Sequence, residues 1–134
     1  MRVAVVTSDV PFVEGGHRVI AHALVRALRE CGHTADVVTT PQNRFGRRLS
    51  AYCATWLTDV EVAGDGGPVD RVISLRFPSY AVRHPHHVVW LNHRMREYYD
   101  LWEEFRQRLG PRARVVESLR RRVLHTLDRR FLRR

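Results

Sequence analysis

The sequence predicts an α/β fold built on a partial doubly wound parallel sheet of about four strands with flanking helices. Two observations predict it. Short apolar runs, with Val3, Ala4, Val5 and Val6 the clearest, alternate along the chain with apolar stripes at helical spacing. Strands and helices in alternation form a parallel sheet with helices on its faces. The length of 134 residues then limits the chain to one domain, 1–134.

Each element has its own local reason. The run from Val3 is continuous, as in a strand covered on both faces, and leads into Thr7, Ser8 and Asp9. After a loop containing Pro11 and Gly15-Gly16, apolar residues recur at Val19, Ile20, Ala23, Leu24, Ala27 and Leu28, the stripe of a helix packed on a sheet. Gly32 supplies the stop. Residues 35–39 read as a second strand, completing a βαβ unit with a right-handed crossover. Leu49, Cys53, Trp56, Leu57 and Val60 predict a helix over 48–60, followed by a loop over 64–68. Third and fourth strands are expected at 72–75 and 88–91, a helix at 96–109, and a last helix at 113–132 after Gly110-Pro111. A crossover helix ordinarily feeds another strand, so ending on a helix reads as an incomplete domain with an unpaired edge, prone to self-association.

Composition narrows the functional classes. Hydrophobic residues are 44% and charged residues 28%, a soluble globular profile. No apolar run approaches the roughly 20 residues of a membrane span, and the N-terminus reads as a strand, so the expected location is the cytoplasm. Cys31 and Cys53 fall in no C-x-x-C spacing and are expected as reduced thiols. All 23 basic residues are arginine, a uniformity that fits GC-rich codon usage. Eleven of them lie between Arg106 and Arg134 against Glu117 and Asp128, whereas residues 1–105 balance twelve arginines with twelve acids. The net charge of +9 is thus carried by the C-terminal segment. A basic amphipathic helix there, with Val115, Val116, Leu119, Val123, Leu127 and Phe131 on a broad face, suits an anionic membrane or a nucleic acid. The alternative, favoured here, is a domain helix whose apolar face a sheet covers.

Candidate chemistry gathers at two places. Gly15 and Gly16 lie between the first strand and its helix, where backbone N–H groups can approach a phosphate, or where two glycines simply turn the chain. They form neither G-x-G-x-x-G nor a P-loop. His93 follows the fourth strand, where open α/β sheets place their ligands, and is suited to hydrogen bonding a hydroxyl or a developing charge. A surface histidine at a helix start is the alternative. Arg96 stands four residues before Asp100 and can pair with it, and Tyr99 and Trp102 read more readily as packing residues. His84, His86, His87 and His93 have no ligand spacing, so no metal is expected.

These segments together resemble the N-terminal domain of family 4 glycosyltransferases, which are retaining enzymes of the GT-B architecture. VAVVTSDVPFVEGGHRVIAHALVRALRECGHTADVVTT is similar to their first βαβ unit with its double glycine. DRVISLRFPSYAVRHPHHVVWLNHRMREYYDLW resembles a subgroup with the pattern D-x-V-I-x-x-K-F-P-S-Y-x-V-x-H-P-x-K-V-V-W-L-x-H-Q-H-R-x-x-Y-D-L-W. Arg76 and His87 replace the lysines of that pattern, and Arg94-Met95 replaces glutamine and histidine, so His93 is the retained member of a histidine pair. Arg96, Tyr99, Asp100, Leu101 and Trp102 keep their places.

The resemblance implies a Rossmann-like GT-B N-terminal half forming the acceptor side of the cleft. It implies that Gly15 and Gly16 approach the donor diphosphate, that His93 acts on the transferred sugar, and that Arg96 orients an acceptor or braces its loop. The co-substrate is a nucleotide-diphosphate sugar, with no cofactor. The E-x-x-x-x-x-x-x-E motif of the donor half is absent, so the chain is expected to be inactive until a C-terminal GT-B domain completes it. Rival readings are a basic module docking peripherally on the inner face of the membrane, with nucleic acid disfavoured for want of an RNP-like pattern, and a remnant of a broken gene.

Overall fold

The computed structural model describes residues 1–13, 15–42, 48–92 and 94–133. They form two compact units, Met1–Asn92 and His93–Arg134.

The first unit runs β1 (Arg2–Asp9), α1 (Gly16–Glu30), β2 (Thr34–Pro41), α2 (Arg48–Leu57), β3 (Arg71–Ser74), a 3₁₀ turn at Ser79–Ala81, and β4 (His87–Val89). All four strands are parallel, in the order β2-β1-β3-β4. The fold is the expected α/β one, a Rossmann-like parallel sheet with flanking helices. The register places Val5 between Val37 of β2 and Ile73 of β3.

Strand side chains alternate between faces, so an apolar run with no polar gap must be covered twice. In β1, Val3 and Val5 join Ala35 and Leu75 under Ala21 and Val25 of α1. Ala4 and Val6 join Val72, Val60 and Val82 on the opposite face. Tyr52 of α2 adds edge-on ring contacts with Phe77 and Tyr80 at 5.5 and 6.1 Å. At the end of α1, Gly32 has φ +82°, a conformation that favours glycine. There the N–H groups of Gly32 and His33 donate to the carbonyls of Arg29 and Leu28, closing the helix. At the amino end of β1, Arg2 grips Asp65 with two 2.7 Å bonds. That pairing holds the Asp65 carboxyl down at about 2.

In the second unit, the expected single helix over 96–109 is a 3₁₀ turn at Arg96–Tyr98 followed by a short α3 (Trp102–Gln107). The backbone breaks at Tyr99, with φ −118° and ψ −98°. The cause is visible in the hydrogen bonds of α4 (Pro111–Leu132). Arg121 Nε and His125 Nε2 both reach the Tyr98 carbonyl, at 2.7 and 2.9 Å. A carbonyl turned toward another helix is lost to its own. The Tyr98 hydroxyl donates to Glu117, and that of Tyr99 to the buried Asp128 at 2.5 Å. The Tyr99 ring stacks on His125 at 4.2 Å, and burial together with Asp128 pushes its phenol well above the ordinary range. Trp102 is buried beneath the Arg121 guanidinium. Tyr98, Tyr99 and Trp102 therefore anchor α4 through packing and hydrogen bonds.

β4 opens on His87, whose Nε2 lies 2.8 Å from Ser74 Oγ. Burial chiefly, and His84 secondarily, lower its pKa from 6.5. The folded chain thus favours the neutral ring while the unfolded chain takes up the proton more readily. Stability from this group is present above about pH 6.5 and lost as the pH falls through the folded value. Urea unfolding at pH 7.5 and 5.5 is expected to show the loss, by at most about 1.4 kcal/mol per pH unit for one proton, and His87→Gln is expected to flatten it.

Candidate functional site

β1 lies between β2 and β3, so the chain leaves it toward one side for β2 and returns on the other for β3. In open α/β sheets the crevice at such a switch point, beyond the carboxyl ends of the strands, is where ligands bind. Here the carboxyl ends bring Ser8 and Asp9 of β1 beside Arg76 and Phe77, which follow β3. The Ser8 hydroxyl is fully buried, 2.6 Å from the Phe77 carbonyl and 2.7 Å from the Gln42 side-chain amide. It carries one proton and has two neighbours, so donation to Phe77 leaves Gln42 best oriented with its NH₂ toward the hydroxyl. The three chain segments are thereby tied at one point.

Asp9 is the acid of this edge. Arg18 of α1 clasps it with Nε and Nη2 at 2.9 and 2.6 Å, and His17 Nε2 lies 3.3 Å from the same carboxylate. Arg18 above all holds the carboxyl below its usual range, although burial acts the other way. The pairing pins the start of α1 to the end of β1. An open cleft of about 580 Å³ borders this cluster, lined by Asp9, Pro11, Thr39, Thr40, Gln42 and Ser50. The Thr40 hydroxyl is buried and has no hydrogen-bond partner among the described residues.

Gly15 and Gly16 lie here, as expected for residues between β1 and α1. Gly15 is extended, with φ −162°, a conformation open to any residue. A Cβ on it would come 3.0 Å from His17 Nδ1. At Gly16 a Cβ would meet nothing within 4 Å. Neither backbone strain nor packing requires glycine at position 16, and no acidic side chain occupies the first turn of α1.

Arg76 is the residue that sequence reasoning passed over. Its Nε is buried with no hydrogen-bond partner among the described residues. Burial pushes its pKa down, and Asp9 partly opposes that. Its backbone is held by Ser79, whose Oγ accepts from the Arg76 N–H at 3.2 Å and donates to its carbonyl at 2.6 Å. The available signal was one arginine between Leu75 and Phe77 in an otherwise apolar stretch. Asp9, His17 and Arg18 also went unmarked, because their pairing depends on where α1 begins.

Of the other candidates, His93 lies outside the described residues. Arg96 belongs to the second unit, where it is exposed and its Nε donates to Asp100 at 3.0 Å. That is the intrahelical type of pairing, made here from a 3₁₀ turn. His84 accepts from the His86 N–H at Nδ1 and donates from Nε2 to the Val69 carbonyl at 2.9 Å, so both its nitrogens serve the loop. Among the described residues no group of three or more His, Cys, Asp or Glu side chains is placed to hold a metal ion. Both cysteines are free and exposed. No helix among the described residues is long and apolar enough to cross a membrane.

Comparison with protein-family models, with curated proteins and with solved structures finds no match to this chain.

If Gly16 is free of packing duties, Gly16→Ala is expected to leave stability unchanged or raise it by up to about 1 kcal/mol, the helix-propensity difference between the two residues. Thermal unfolding checks this, and a loss of similar size would reveal a structural need for the glycine.

Proposed function

We propose that this chain is the acceptor-side, Rossmann-like portion of a retaining glycosyltransferase of the family 4 type, using a nucleotide-diphosphate sugar in the cytoplasm. The observation that carries the reading is the open approach at Gly15-Gly16 beside the switch point of the sheet, with no side chain at Gly16 and no acid in the first turn. The first N–H groups of a helix have no partners within it and favour an anion. A departing diphosphate develops negative charge as the sugar bond breaks, and fixed donors lower the barrier to that step. The long block from Asp70 to Trp102 supports the same family.

In this scheme Gly15 and Gly16 let the diphosphate approach α1. His93 hydrogen-bonds the transferred sugar, and Arg96 orients the acceptor or braces its loop. A GT-B donor-binding domain completes the cleft, because transfer requires both substrates held in one site. Fused to such a domain, the chain is expected to transfer labelled sugar from a nucleotide-diphosphate sugar, and alone to show no turnover. His93→Ala in the fusion is expected to slow transfer by roughly two to four powers of ten, the range for one positioned catalytic group. A folded His93→Ala fusion at the parent rate removes that residue from the scheme, and a folded, inactive parent fusion removes the scheme.

A second reading, docking on an anionic membrane, is favoured by one observation on α4. Val115 and Leu119 are 72% and 63% exposed, and Val116 and Val123 are exposed with them. At 100° per residue these four share an arc with Arg112 and Arg122. Apolar contact combined with arginines is the chemistry of an interfacial helix. Vesicles containing phosphatidylglycerol are expected to bind the chain at about 50 mM salt and release much of it at about 500 mM, as screening grows. Leu119→Ser combined with Val123→Ser is expected to weaken binding several-fold. Equal binding to neutral vesicles, or preference for duplex nucleic acid with no effect of the two substitutions, overturns the membrane reading.

A further inference from the structure

We infer that Arg76 is the floor of an oxyanion subsite, which binds a phosphate group at the switch point between β1 and β3.

Three observations lead there. The first is position. The Leu75 N–H donates to the Val6 carbonyl at 3.1 Å, and the Phe77 carbonyl accepts from Ser8 at 2.6 Å. Arg76 is therefore fixed between two points of attachment to β1, with its own backbone gripped by Ser79. The backbone that carries the guanidinium is thus fixed at the switch point of the sheet.

The second is the unmet demand of the side chain. A guanidinium carries five N–H donors and accepts nothing. Nε of Arg76 is buried and unpartnered, and no ion pair or side-chain hydrogen bond reaches its guanidinium from the described residues. The residue is half-buried, and a donor withdrawn from water without a partner costs free energy that a bound acceptor would recover. The third observation is the charge of its surroundings. Among the described residues Asp9 is the acid whose field reaches Arg76, and its two oxygens already serve both Arg18 donors and His17. That carboxylate is thus already engaged by other donors. The partner suited to the planar, donor-only guanidinium of Arg76 is an anion with several acceptor oxygens.

Phosphate meets that description, since it offers both charge and forked acceptors to a guanidinium. The group could belong to the diphosphate of a donor or to a phosphomonoester of an acceptor. The inference stands apart from sugar transfer, because the subsite is defined by binding alone and its test involves no turnover.

The test titrates the full chain with pyrophosphate, and separately with inorganic phosphate and glucose 6-phosphate, while following the arginine Nε–H resonances by NMR. A saturable displacement of the Arg76 Nε–H signal is expected. Arg76→Gln is expected to weaken binding at least tenfold while leaving the melting temperature equal to or above that of the parent, since it removes a half-buried charge that no side chain pairs among the described residues. Arg76→Lys is expected to bind with intermediate strength, keeping charge without the fork. Tighter binding of pyrophosphate assigns a diphosphate source, and tighter binding of glucose 6-phosphate a monoester source. Overturning results are an Arg76 signal that no probe displaces, or Arg76→Gln binding as tightly as the parent. If Arg76→Gln fails to fold, the resonance titration of the parent decides alone.

Discussion

A parallel partner on each edge of β1 is the constraint from which the first unit follows. A strand in that position has no edge exposed to water, so its backbone is fully engaged and six consecutive residues, Val3 to Ser8, are buried. Both faces then need apolar cover, which α1 supplies on one side and Val60 and Val82, beyond α2, help supply on the other. Filling both edges also forces the chain to cross in opposite directions. The carboxyl ends of β1 and β3 consequently lie side by side at the switch point of the sheet, where open α/β sheets form a crevice.

The polar character of that crevice is a consequence of where the apolar run stops. Val3, Ala4, Val5 and Val6 are core, whereas Thr7, Ser8 and Asp9 have no apolar layer to join. Ser8 is satisfied by Phe77 and Gln42, and Asp9 by His17 and Arg18. These bonds bind strand ends to the beginning of α1, so the same groups that close the fold also stiffen the rim. Arg76 is held by its backbone while its Nε is buried without a partner among the described residues, as is the Thr7 hydroxyl. Proteins tend to keep such local conflicts where function requires them.

Much of this was legible before the structure. The βαβ unit could be read because continuous apolar residues and a 3.6-residue stripe report burial directly, and Gly32 marked the end of α1 where its φ is positive. The break at Tyr99 was not legible. It depends on Arg121 and His125, more than twenty residues away, capturing the Tyr98 carbonyl, and no local periodicity records such a capture. The glycine pair was legible as a place, and what Gly16 leaves open beside it was not. Arg76 was hidden for a related reason: an arginine in an apolar segment becomes notable only once the nearby acid is known to be occupied.

The absence of lysine has a consequence for α4. Every fixed positive charge on this helix is a guanidinium, which stays protonated throughout the pH range in which proteins remain folded. Alkaline titration, which discharges lysine-rich surfaces, cannot neutralise this one. Acetylation, a common cellular means of erasing basic charge, finds no side-chain amine here, and arginine methylation retains the charge while blocking the forked hydrogen bonds. The electrostatic character of α4 is therefore constitutive, and ionic strength or a competing polyanion is what remains to modulate it.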